Sequence, residues 1–169
     1  MHIVARDEAK VAKTFTYTSY LDDADVIINA CKLKTHGMMG LSCAAKNIFG
    51  VIPGTMKPEY HFLYPDSNDF ADMLIDINEY FKDKMRLTIV DAVVGMEGNG
   101  PTQGTPRQIG AILASTSPHT ADLACAKLIG LKIADIPTLQ IAHEAGMIPS
   151  LAEELEIAGD LDSLCISDF

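Results

Sequence analysis

Absences narrow this sequence before any motif does. Cys31, Cys43, Cys125 and Cys165 are far apart and irregularly spaced, and none forms a CxxC pair. That excludes a zinc ribbon, a thioredoxin-type dithiol and a ferredoxin cluster among these residues, and reduced thiols are expected. No GK[ST] occurs, so no P-loop is encoded, and no Ser, His and Asp stand in a nucleophile-elbow context. No apolar run approaches the roughly 20 residues that cross a bilayer. The opening MHIVARDEAK has no signal-peptide core, so no membrane partner and a cytoplasmic location are expected. Positive charge is scarce. Thirteen Lys and Arg against 23 Asp and Glu leave a net charge of -10, the wrong sign for a nucleic-acid partner.

What is present reads as one α/β domain over residues 1–169. The sheet is expected to be layered, mostly parallel or mixed, with helices flanking it. Asp25–Ala30 is short, β-branched and apolar, which predicts a buried strand, and a lysine-rich loop follows. Leu41–Gly50 predicts a helix. Ser67–Lys82 predicts a second, capped by Ser67, with Phe70, Leu74, Ile77 and Phe81 on one face. Arg86–Gly95 and Gln108–Ser115 predict strands, separated by a long Gly-rich loop. Ser117 as cap, Pro118 in the first turn and Gly130 past the end bracket another helix. Short helices are expected near Ile136–Gly146 and Ser150–Leu155, and an edge strand over Glu156–Asp160. Cys43 and Cys125, set among alanines, read as buried small hydrophobes. The first and last segments lack clear opening and closing signals, so the chain is expected to be a piece of a longer protein.

The candidate site rests on an uneven distribution of charge. None of the 23 acidic residues falls between Val26 and Pro58, a window where an even spread would place four or five. The same window holds Lys32, Lys34, His36, Lys46 and Lys57. A basic patch on an acidic body focuses the field for a small anion, and it follows a strand end, where open α/β sheets place ligands. The plain alternative is a solvated lysine loop. Gly37 and Gly40 let a backbone approach a ligand, and a helix starting near Leu41 would offer free N–H groups. Lys46, if it lined the pocket, would have its pKa lowered by burial and serve as nucleophile or base. Asn47 is a candidate orienting group. His36 and His61 flank Lys46 and suit proton transfer or metal ligation, with His61 the metal candidate. The loop Gly95–Gly104 adds Glu97 as acid–base complement and Gly98, Asn99 and Gly100 as ligand-binding backbone. It fails the dinucleotide fingerprint, because Gly104 comes one position late. Asp91 could face the same pocket and pair with a lysine there. His119 and Asp122 read as surface residues in the first turn of a helix, as do His143 and Glu144 further on.

Two long stretches, DADVIINACKLKTHGMMGLSCAAKNIFGVIPGTMKPEYH and DAVVGMEGNGPTQGTPRQIGAILASTSPHTADLACAKLIGL, closely resemble the signature blocks of the DUF362 family. That resemblance by itself implies little chemistry. Together with the lysine window it leads to the expectation of a redox-linked domain, enzymatic in the first reading, that binds a small anion or a metal cofactor between the lysine loop and the Gly95–Gly104 loop. Many members carry an attached ferredoxin-like segment and are labelled iron–sulfur cluster-binding proteins. The 4Fe–4S clusters would then lie in an adjoining module, in cis or in trans, and no cofactor is encoded by motif here. In the alternative, the domain is a non-catalytic scaffold orienting that module. A weaker similarity is to the lactate racemase family, whose nickel pincer cofactor is tethered to a lysine between two histidines. It implies Lys46 as the tethering or anion-binding lysine, His61 as a metal ligand and His36 as an acid–base group. The upstream dihistidine part of that family's site has no counterpart here.

Overall fold

The computed structural model describes residues 1–169. Strands β1 (His2–Ala5) and β2 (Thr14–Tyr17) form an antiparallel hairpin that the sequence reading did not anticipate. Four further strands form the main sheet: β3 (Ile27–His36), β4 (Gly40–Ser42), β5 (Met85–Glu97) and β6 (Thr105–Ser115). Their spatial order is β4-β3-β5-β6, with β3 and β5 parallel and the two outer pairings antiparallel, so the sheet is mixed. The helices are α1 (Ala44–Asn47), α2 (Lys57–Leu63), α3 (Ser67–Phe81), α4 (Pro118–Leu128) and α5 (Pro137–Glu144).

The helix ends follow ordinary capping chemistry. Asp66, rather than Ser67, caps α3, and its carboxylate accepts from the N–H groups of Asn68 and Asp69. Ser117 caps α4 through the Thr120 N–H, and Gly130 closes that helix at φ +73°. The predicted stripe Phe70, Leu74, Ile77 and Phe81 is fully buried. Each such side chain contributes about 1.5–3 kcal/mol of burial.

One apolar cluster lies between the sheet (Leu33, Val90, Ala92, Ala111) and helices α4 and α5. A second joins the β2 aromatics Phe15 and Tyr17 to α3 and to the segment around Phe49. The carboxylate of Asp76, buried on α3, ties the chain after β1 to that helix by accepting from the N–H groups of Lys10, Val11 and Ala12. The other face of the sheet shows Ile28, Val93 and Ile112 to solvent.

Four local expectations are corrected. Strand β3 does not stop at Ala30 but carries Cys31 to His36 within the sheet, because β5 and β4 supply hydrogen-bond partners there. The segment after it turns back as β4, so the helix predicted over Leu41–Gly50 shrinks to one α turn followed by a 3-10 turn, Ile48–Val51. The loop predicted over Gly95–Gly104 is shorter, since Gly95, Met96 and Glu97 pair with Arg107, Pro106 and Thr105. No strand forms over Glu156–Asp160.

Candidate functional site

Strand β4 covers β3 only at Lys34 to His36, so the edge of β3 at Ala30 to Lys32 has no neighbouring strand. A cavity of about 400 Å³ lies against that open edge. Lys32, Lys34, Ser42, Asn47 and Asp91 bring its polar groups, and the thiols of Cys31 and Cys43 line it as well.

The parallel register sets Lys32 opposite Asp91, and the Lys32 ammonium donates to the Asp91 carboxylate at 2.6 Å. That contact, then a hydrogen bond from the Val93 N–H, holds the Asp91 carboxyl below the usual range. Lys34 enters the same cavity with no carboxylate within 4.0 Å. Asn47 donates to the Asn29 side chain and to the Ala30 carbonyl, so it is held at the cavity wall and also satisfies an edge carbonyl of β3. The thiols form a row: Cys31 to Cys43, and Cys43 to Cys125, each at 3.8 Å. The Cys43 thiol and then burial push Cys31 up, so Cys31 is protonated at neutral pH. Cys43 and Cys125 are buried, as expected.

The first two N–H groups of α1 are already taken and do not face a ligand. The Asp122 carboxylate accepts from the Ala44 N–H at 2.6 Å and the Ala45 N–H at 2.9 Å. This corrects the expectation that Asp122 and its neighbour His119 are surface residues, for both are buried. Burial drives the Asp122 carboxyl up to about 6, against the two backbone bonds that favour its charge. Burial also drives His119 down to about 4.

The second predicted group gathers elsewhere. The Lys46 ammonium lies 5.6 Å from the ring centres of both Phe49 and Phe70, in cation–π contact with each. His61 packs on the same two rings, and Lys57 approaches Phe49 from 5.7 Å. Burial, followed by the charge of Lys57, lowers the Lys46 pKa, the direction the sequence predicts. His36 lies within electrostatic reach; burial first, then Lys46, then His61 push it down to about 4. Its Nδ1 accepts the Met38 and Met39 N–H groups, so the neutral ring carries its proton on Nε2. His61 instead donates from Nδ1 to the Lys57 carbonyl.

The third group is the β5–β6 connection. Thr35 donates its hydroxyl to the Gly98 carbonyl, and the Gly37 N–H donates to the Gly100 carbonyl. A Cβ at Gly100 would collide with the Thr35 carbonyl oxygen, so that glycine serves contact with β3. Asn99 donates to Gln103 within the loop. Glu97 faces Arg107, which also pairs with Asp168. None of these loop residues lines the cavity beside Lys34.

Sequence reasoning thus named Lys32, Lys34, Asn47 and Asp91 of the cavity and missed Ser42, Cys31 and Cys43. The window of scarce acids flagged Lys57, but only the rings of Phe49 and Phe70 give it a place. Among His, Cys, Asp and Glu side chains, no group of three is arranged to hold a metal ion.

Residues 2–127 match the family described as Domain of unknown function (DUF362). The chain belongs to the DUF362 family. This DUF362 chain is 36% identical over 132 residues to the "Thylakoid-associated protein sll1697" of Synechocystis sp., an alignment covering 78% of this chain and 40% of that protein. The DUF362 chain therefore spans well under half the length of this curated relative. No solved structure matches it. No helix of the DUF362 chain is long and apolar enough to cross a membrane.

Proposed function

We propose that this domain binds a small carboxylate or phosphate at the open edge of β3, between the Lys34 ammonium and the Ser42 and Asn47 side chains. One observation carries the reading. Of the two lysines in the cavity, Asp91 neutralises Lys32 and nothing neutralises Lys34. An unpaired ammonium in a walled cavity attracts an anion more strongly than one on a convex surface, because the low-dielectric walls concentrate its field. Ser42 and Asn47 would add hydrogen bonds that select an oxyanion over chloride. In the redox-linked context that the family resemblance implies, this chain would supply the anion cavity. A 4Fe–4S ferredoxin-like module would supply the clusters.

The test is thermal unfolding and titration calorimetry with inorganic phosphate and with acetate. A saturable rise in the unfolding midpoint is expected for at least one anion. Lys34→Met should abolish that rise, while Lys57→Met, on the aromatic platform, should leave it intact. The reading fails if neither anion shifts the midpoint, or if Lys34→Met responds as the parent does.

A further inference from the structure

Strand β6 ends the sheet, and its outer edge is unpaired. Beyond the bulge at Gly110, residues Ala111–Ser115 make no main-chain hydrogen bond outside the β5 ladder. Edge strands in soluble proteins are usually guarded by a charge, a proline or a covering segment. None of the five residues Ala111–Ser115 is charged or a proline, and Ile112 is 70% exposed.

A groove of about 370 Å³ runs beside this stretch, between β6 and the segment Leu155–Leu164. All five consecutive residues line it. Side chains alternate between the two faces of a strand, so only a space at the strand's edge meets all five. Ala124, Leu155, Ile157 and Leu164 make the rest of the groove largely apolar.

The far wall is acidic. Residues 150–169 contain no Lys, Arg or His. Glu153 and Asp162 pair with Lys127, whereas Glu154, Glu156 and Asp160 make no ion pair. Glu156 and Asp160 stand directly on the groove.

We propose that this groove takes an extended peptide as a fifth strand on β6. The peptide would be apolar at alternate positions, with basic residues at its ends. The unpaired main-chain groups call for a strand, since an extended segment can satisfy successive N–H and C=O groups. The apolar groove accepts every second side chain. The uncompensated carboxylates select a basic partner over an acidic one. They also oppose a second copy of this chain, which would bring Glu156 and Asp160 of both copies together. The inference is independent of the anion cavity.

The test uses the full chain and a short fluorescein-labelled peptide of alternating valine and threonine with lysine at both ends. Fluorescence anisotropy should rise saturably, and the glutamate-ended counterpart should bind at least about tenfold more weakly. Ile112→Lys, at a surface position, should weaken the lysine-ended peptide at least about tenfold with an unchanged circular dichroism spectrum. Glu156→Lys combined with Asp160→Lys should remove the preference between the two peptides. No binding of the lysine-ended peptide, or equal binding by the parent and Ile112→Lys, overturns the proposal. Sedimentation showing a dimer that Ile112→Lys dissociates would overturn it too, by placing a second copy on the edge.

Discussion

His36 shows how neighbours rather than residue type set a side chain's role. Burial, Lys46 and His61 hold its pKa at about 4, against an ordinary 6.5, so the ring is neutral at pH 7. The folded value lies below the unfolded one, so the unfolded chain takes up the proton first as pH falls. The stabilising share of this neutral ring is therefore complete above pH 6.5 and is lost as pH drops toward about 4. Nuclear magnetic resonance titration of the ring C–H signals should give a midpoint near 4. In Lys46→Met the midpoint should rise yet stay below 6.5, because burial is the larger cause. Asp122 is the second residue whose neighbours decide its role. Asp122→Ala leaves the Ala44 and Ala45 N–H groups without their acceptor in a buried place. Urea unfolding should show a loss of about 2–4 kcal/mol. The sequence names Asp122, three residues after His119, but cannot say that the first turn of α4 faces α1. Helical spacing gives the face and not the neighbour.

At the scale of elements, the lesson is in the hairpins. Within the predicted stretch Asp25–Ala30, Ile27–Ala30 is strand. Lys32–His36 reads as a loop for its lysines and histidine, although Cys31, Leu33 and Thr35 alternate with them. Only the ladder to β5 and β4 makes that stretch extended. Conversely the span and apolar stripe of α3 and both ends of α4 are legible, for these signals are local. The α3 cap, however, is Asp66 rather than Ser67, and the burial of His119 and Asp122 comes from tertiary packing. The Gly-rich connection gives a sharp element-scale contrast. Gly100→Ala would drive a Cβ into the Thr35 carbonyl, whereas Gly37→Ala meets nothing within 4 Å. Thermal unfolding should show Gly100→Ala destabilised by about 2 kcal/mol or more and Gly37→Ala within about 0.5 kcal/mol of the parent. Equal effects would mean that the loop does not rest on β3.

Across the whole molecule, α3 links the two apolar clusters. Ile75 belongs to the one beneath the sheet, and its neighbour Leu74 to the one around the β1–β2 hairpin. Leu74→Ala and Ile75→Ala should each cost about 2–5 kcal/mol. Both should lower the midpoint of one shared transition, seen alike by near-ultraviolet and far-ultraviolet circular dichroism. Two separate transitions would show the clusters to be independent units. The sequence by itself determined the α/β class, the buried stripe of α3, the caps of α4 and the family, since each is written in local spacing or in long runs of residues. It also determined that the basic residues gather in one stretch. The tertiary structure alone decided how they divide. Alternation along β3, the parallel register to Asp91 and the turn into α1 send Lys32 and Lys34 to one cavity, and Lys46 with His61 to the rings of Phe49 and Phe70. Charge density along a chain is additive, but a site depends on direction, and direction comes from partners distant in sequence.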